Sequence, residues 1–252
     1  MRFEKMEGLG NDFVVLSGEV GITAGVVRFL CDRHFGIGAD GVLQVGSDGE
    51  IVVMDYWNAD GGAAEMCGNG LRCVARYAYD HQLATTQSFK VRTAVGDRRV
   101  EAHAEPRVEL GAALVGDSFV WEGATFHAAK VGNPHAVTIV EDPEKADVLG
   151  IGHRLEAATP GGVNVGFVAV EPESIRLRVW ERGVGETMAC GSGMVAAAAV
   201  ARQLGLVGDQ VDVEVAGGRA WVEIEPETSW LTGPARTVYS GEIDLPKGIE
   251  SH

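Results

Sequence analysis

Three short segments of this chain recur, in the same order, about 123 residues further on. Gly10-Asn11-Asp12-Phe13-Val14-Val15 is echoed by Gly132-Asn133-Pro134-His135-Ala136-Val137. Ile51 to Tyr56, which leads into Asn58, is echoed by Ile175 to Trp180, which leads into Glu181-Arg182. Cys67-Gly68-Asn69-Gly70 is echoed by Cys190-Gly191-Ser192-Gly193. Three matches at nearly constant spacing argue against chance. The chain reads as two copies of one unit, and that restricts the fold to a pair of similar domains related by pseudo-twofold symmetry.

Each copy carries the same local signals. Strands are expected at Asp12 to Leu16, Val42 to Val45 and Ile51 to Tyr56, and again at Ala136 to Val140, Gly166 to Val170 and Ile175 to Trp180. A polar loop, the Cys-Gly-x-Gly turn and a helix follow in both. The helices run through Leu71 to Ala78 and Met194 to Leu204. The second is apolar on nearly every face and so should be buried all round. Further strands are expected at Phe89 to Thr93, Arg98 to His103, Gln210 to Val215 and Ala220 to Ile224. The expected class is α+β, each domain a mixed or antiparallel sheet wrapped around a central helix. The boundary falls near Leu110 to Val115. A last strand, Thr237 to Leu245, is expected to return to the first half. The domains are then residues 1–113 with 237–252, and residues 114–236.

Composition narrows the function classes. The formal net charge is −15, which disfavours nucleic acid and anionic membrane surfaces as partners. An apolar share of 46% suits a globular core. No secretory signal is visible at the N-terminus, and no apolar run reaches the ~18–20 residues of a membrane span. Four cysteines, Cys31, Cys67, Cys73 and Cys190, are too few for a disulfide scaffold and form no C-x-x-C pair. A reducing cytoplasm fits, and no metal is suggested. The 35 glycines are about twice the usual share of ~7%. They cluster in the repeated motifs.

The two Cys-Gly-x-Gly turns carry the chemistry. Each cysteine stands just before a helix, where unpaired N–H groups carry partial positive charge. Such a position is expected to lower the thiol pKa and to cradle a carboxylate. Two matched thiols suit a racemase or epimerase, which needs an acid and a base on opposite faces of one carbon. A carbanion formed without a cofactor needs donors aimed at its carboxylate, and Gly68, Asn69, Gly191 and Ser192 are placed to supply them. None of the lysines lies in a glycine-rich phosphate-binding context, so no pyridoxal phosphate site is read. A lone cysteine beside glycine is usually structural. A matched pair in an internal repeat points to a site. Cys73 falls inside the first helix, has no cysteine counterpart in the second copy, where Ala196 stands, and is read as core, as is Cys31.

These residues, with Lys5 to Phe13, Gly36 to Gly41, Asn58 to Gly61, Glu65 to Cys73, Gly132 to His135, Asn164 to Phe167 and Glu181 to Gly193, resemble the diaminopimelate epimerase family over nearly the whole chain. The first cysteine block is also similar to proline racemases and phenazine-pathway proteins. The resemblance implies a cofactor-independent epimerase converting LL- to meso-diaminopimelate, in lysine and peptidoglycan biosynthesis. It makes Cys67 and Cys190 the acid–base pair. It also implies a homodimer, and two similar domains that close over a small amino-acid substrate.

Carried over by position, Gly68, Asn69, Gly191 and Ser192 hold the reacting carboxylate. Asn11, Asn58, Asn133, Asn164, Glu181 and Arg182 bind the substrate's amino-acid ends, and His135 lies near the reacting amine. Taken singly, each asparagine also reads as a turn cap, Glu181-Arg182 as a surface ion pair and His135 as a structural histidine. Glu7, Ser192 and Ala39-Asp40-Gly41 depart from common versions of the family pattern. Two other readings stand beside the epimerase: a racemase of another amino acid such as histidine, and a non-catalytic binding module, against which the retained thiols count.

Overall fold

The computed structural model describes residues 1–18, 21–49, 51–64, 66–246 and 248–249. Glu65 of the first cysteine block and the end of the expected first domain at 250–252 lie outside the described residues. The chain divides into two compact units, Met1–Val108 with Pro234–His252, and Glu109–Gly233.

The first unit contains β1 (Arg2–Gly8), β2 (Asn11–Ser17), α1 (Ala24–Cys31), β3 (Gly41–Asp48), β4 (Ile51–Asn58), α2 (Gly68–Asp80), β5 (Ser88–Thr93) and β6 (Gly96–Glu101), with β7 (Arg107–Glu109) at its edge. A strand from the far end of the chain, Arg236–Glu242, lies antiparallel to β1. From that strand onward, the junctions run antiparallel to β1 and to β2, parallel to β3, antiparallel to β4, parallel to β5, and antiparallel to β6 and β7. The helices fall between the parallel neighbours, where a crossover is required.

The second unit contains β8 (Leu114–Trp121), β9 (Ala124–Val131), β10 (Asn133–Ile139), α3 (Val148–Ala158), β11 (Asn164–Val170), β12 (Ser174–Glu181), β13 (Gly185–Thr187), α4 (Gly191–Gln203), β14 (Gln210–Val215), β15 (Gly218–Ile224) and β16 (Ser229–Thr232). Its eight-strand path β8, β9, β10, β11, β12, β14, β15, β16 repeats the same series of junctions. The strand Arg236–Glu242 therefore does in the first unit what β8 does in the second. The short β13 is an addition, hairpinned onto β12.

The class is α+β, with one buried helix per unit against a mixed sheet. In α4 every residue from Gly193 to Ala201 is buried, and strands from β8 to β16 pack around it. Alanine suits this place twice: it is the best helix former, and its small side chain lets strands approach from several sides. α2 is also largely buried but keeps an exposed strip, so it carries Arg76 and Asp80 as an exposed ion pair at 2.7 Å. Two helices were not foreseen as such. α1 uses the apolar face Val26, Val27 and Leu30, with Thr23 as its cap, accepting from the Val26 N–H at 3.3 Å. α3 has an Asp147 cap and interior glycines, which weaken the local helix signal.

Candidate active site

Both repeated cysteines are the N-cap residues of the buried helices. Cys67 (φ −135°, ψ 120°) precedes α2, and Cys190 (φ −118°, ψ 113°) precedes α4. Each has extended backbone, so the thiol turns toward the first helical turn. In the second copy the third residue after the thiol has little room for a side chain. A Cβ on Gly193 would stand 3.1 Å from Cys190 Cβ and 3.3 Å from its Sγ. In the first copy, Gly70 donates its N–H to Cys67 Sγ at 3.4 Å.

Around Cys67 the first unit builds a network of amides and charges. The thiol donates to Asn11 Oδ1 at 3.6 Å, and Asn69 Nδ2 donates to the same oxygen at 3.4 Å. Asn11 Nδ2 donates to Asp40 Oδ2 at 2.7 Å. Arg72, fully buried, donates through Nη2 to Asn69 Oδ1 at 3.1 Å. Behind Asp40 lie Arg33, which grips both Asp12 and Asp40, and Lys5, whose ammonium is 2.7 Å from Asp12. Burial opposes ionisation of Asp12, but the hydrogen bonds from Arg33 and Lys5 outweigh it and hold its pKa at about 2.

Around Cys190 the second unit is drier. The thiol is 3.6 Å from Ser192 Oγ, and Glu181 faces it. Burial pushes the Cys190 thiol well above its ordinary pKa, and the Glu181 carboxylate adds to this; Ser192 and the Gly193 N–H pull the other way. The expected acidification by the helix start is therefore overturned at Cys190, because desolvation outweighs the partial charge of the helix end. Thr187 donates to Glu181. Asn164 is buried, donating to the Pro134 carbonyl at 2.9 Å and accepting the Arg182 N–H at 3.0 Å. His135 Nε2 meets Asn133 Oδ1 at 2.9 Å. Burial, and then the nearby Arg182 cation, lower the His135 pKa to about 4, so its imidazole is neutral at ordinary pH. Arg182 reaches the Gly161 carbonyl at 3.1 Å.

The structure thus brings Asn11 and Asn69 to Cys67, and Glu181 and Ser192 to Cys190. It joins Asn133 to His135, and Asn164 to Arg182. Gly68 and Gly191 open the two helices. Asn58 lies at the exposed end of β4, where its backbone closes a turn with Gly61 and Gly62. The neighbouring Ala59 N–H reaches the Asp40 carbonyl at 3.2 Å. Sequence reasoning missed Lys5, Asp12, Arg33, Asp40 and Arg72. A signal was present: Lys5 sits at an inward position of a strand, and Arg72 lies in the middle of a buried helical stretch. A charge in such a place needs a partner. Among the described residues no cluster of His, Cys, Asp or Glu could hold a metal ion.

A family model described as diaminopimelate epimerase matches residues 3–115 and 127–238. A diaminopimelate epimerase of Acinetobacter baylyi is 42% identical, over 97% of this chain and 98% of its own. One of Acidovorax ebreus is 40% identical, with 99% of each chain covered. Among solved structures, a probable proline racemase of Agrobacterium radiobacter superposes with a TM-score of 0.79, at 15% identity over 98% of this chain and 94% of that one. A phenazine biosynthesis protein of the PhzF family from Enterococcus faecalis gives 0.77 at 14% identity, over 97% and 99%. At such identities these two matches speak for the fold alone.

Proposed function

The chain belongs to the diaminopimelate epimerase family, and from that premise we propose that it converts LL-diaminopimelate to the meso form with Cys67 and Cys190 as its acid and base. The observation that carries the reading is the twofold placement of a thiol at the start of a buried helix, in a chain matched by its family model across both halves.

In the proposed reaction one cysteine, as thiolate, takes the α-proton. The electron pair stays on the α-carbon and spreads into the carboxylate. The other cysteine, as thiol, delivers its proton to the opposite face. The sulfur that gained a proton and the one that lost it have exchanged states, so the reverse reaction uses the same pair. The N–H groups that begin α2 and α4 are suited to the carboxylate on which charge builds. The raised pKa of the Cys190 thiol suits it to start as the acid when the proton is taken at Cys67. Arg182 offers a forked donor for the distal carboxylate, and Glu181 an acceptor for an ammonium. Asn11, Asn58, Asn133 and Asn164 supply further donors and acceptors to the two ends. The neutral His135 can hydrogen-bond the reacting amine without adding a competing charge.

Four cysteines, too few for a disulfide scaffold, accord with a reducing compartment, and among the described residues no helix is long and apolar enough to cross a membrane. We place the protein in the cytoplasm, as a homodimer, which sedimentation would test. A chiral assay in deuterated water tests the reaction. LL-diaminopimelate is expected to give meso product carrying one solvent deuterium at the inverted carbon. Turnover of another amino acid in preference to diaminopimelate, or unlabelled product, would sink the reading.

A further inference from the structure

Two charged side chains close the ends of a short chain of amides beside Cys67. Arg72 Nη2 donates to Asn69 Oδ1 at 3.1 Å, Asn69 Nδ2 donates to Asn11 Oδ1 at 3.4 Å, and Asn11 Nδ2 donates to Asp40 Oδ2 at 2.7 Å. An asparagine amide has a donor end and an acceptor end of nearly equal shape, so its hydrogen-bond partners must fix which way it points. Here they do. A guanidinium has only donors, so Asn69 must give Arg72 its oxygen and has its nitrogen left for Asn11. A carboxylate has only acceptors, so Asn11 must give Asp40 its nitrogen and has its oxygen left for Asn69 and Cys67. The two constraints agree. The atom of Asn11 that faces the sulfur, at 3.6 Å, is therefore an oxygen, which accepts from a thiol and repels a thiolate.

We propose that Asp40 and Arg72 are positioning residues that lock this amide chain, so that Asn11 meets Cys67 with its oxygen, which accepts from the thiol and disfavours the thiolate. Each is itself secured. Asp40 accepts from Arg33 at 2.9 Å and from the Asp12 N–H at 3.1 Å. Arg72 Nε donates to the Pro234 carbonyl at 3.3 Å, while its buried Nη1 has no hydrogen-bond partner among the described residues. A buried arginine is costly where an apolar residue would pack as well, which argues for a use. The Gly70 N–H opposes the Asn11 oxygen by favouring the thiolate. Among the described residues, Cys73 of α2, Glu7 of β1 and Glu105 also act on Arg72. Lys5, Asp12 and Arg33 act on the far side of Asp40.

The proposal rests on Cys67 being a working thiol, but its test needs no substrate. The rate at which iodoacetamide alkylates Cys67 in the full-length chain is followed against pH and read by peptide mass spectrometry. Asp40→Asn offers Asn11 a donor as well as an acceptor and frees its amide to turn nitrogen toward the sulfur. The midpoint of the profile should fall by about one pH unit, or about tenfold in rate on the acid side. Asn11→Asp fixes an anionic oxygen opposite the sulfur, and the midpoint should rise by about as much. A loosened structure would move both variants the same way. Unmoved profiles, or shifts of one sign, overturn the proposal. Should Asp40→Asn fail to fold, as judged by circular dichroism, Asp40→Ser takes its place with the same expected sign. Opposite shifts in a chain that proves unable to epimerise would remove the functional reading and leave this one standing.

Discussion

Asn164 ties Arg182 to the neighbouring strand: it accepts the Arg182 backbone N–H at 3.0 Å and donates to the Pro134 carbonyl at 2.9 Å. One buried side chain thereby joins the ends of β10, β11 and β12, where His135, Asn164 and Arg182 all lie. His135 and Asn164 are direct partners in the parallel register of β10 and β11. The amide still has one hydrogen and one lone pair to spare, enough for a substrate contact as well as the scaffold.

Asn164→Ala removes a buried amide that serves two part-buried backbone groups, the Arg182 N–H and the Pro134 carbonyl. It is expected to cost about 1 kcal/mol of stability, on the scale of a net intramolecular hydrogen bond, and to raise KM as Arg182 loses its anchor. Urea denaturation and steady-state kinetics check both. Unchanged stability would mean that water replaces the amide at no cost.

Cys67→Ala and Cys190→Ala should each reduce epimerisation by about a thousandfold or more, within the range for general acid–base groups. Cys73→Ala should keep the rate within a few fold, because Cys73 is fully buried inside α2 and burial raises its pKa to about 12. A chiral assay on the three variants decides. An inactive but folded Cys73→Ala would require a role for the third thiol.

Asp12 makes stability depend on acid pH. Its folded pKa of about 2 lies below the ordinary 3.8, since the bonds from Arg33 and Lys5 overcome the burial that would raise it. The ionised form is thus favoured by folding. Its contribution, about 2 kcal/mol, is full above pH 4 and is lost as pH falls through 2. Denaturation of the parent and of Asp12→Asn should give stability curves that converge over that window. Parallel curves would contradict the shift.

His135 should act in a higher window. Its folded pKa of about 4 lies below the ordinary 6.5, with burial the larger cause and Arg182 the smaller. Below pH 6.5 the unfolded chain takes up a proton that the folded chain refuses, so stability falls as pH drops from about 6.5 to 4, by about 3 kcal/mol at most. His135→Gln should flatten the curve over that interval. Nuclear magnetic resonance titration of the ring gives a direct check. An imidazole titrating near 6.5 in the folded protein would rule the effect out.

Much of the site was legible because it is local. Cys67-Gly-x-Gly and Cys190-Gly-x-Gly specify extended backbone followed by a helix start, and that needs only neighbouring residues. The apolar run of α4 likewise announced its burial. α1 and α3 were harder to see, since one is only eight residues long and the other carries glycines. The expected low pKa of Cys190 failed because it counted the helix end and not the desolvation, which depends on how deeply the folded unit encloses the sulfur.

From the sequence alone came the two units, a thiol at the head of a helix in each, and the burial of the second helix. These follow from repetition and from local pattern, which is set by residues close in the chain. The return of a last strand to the first half was expected; tertiary structure alone decided that it spans Arg236–Glu242 and pairs antiparallel with Arg2–Gly8. It alone joined Arg72, Asn69, Asn11 and Asp40 into one chain of hydrogen bonds, and made Cys190 a thiol reluctant to ionise. The reason is common to all three: strand register, hydrogen-bond reach and desolvation depend on distances between residues far apart in the chain, and those exist only once the sheet has closed around the helix.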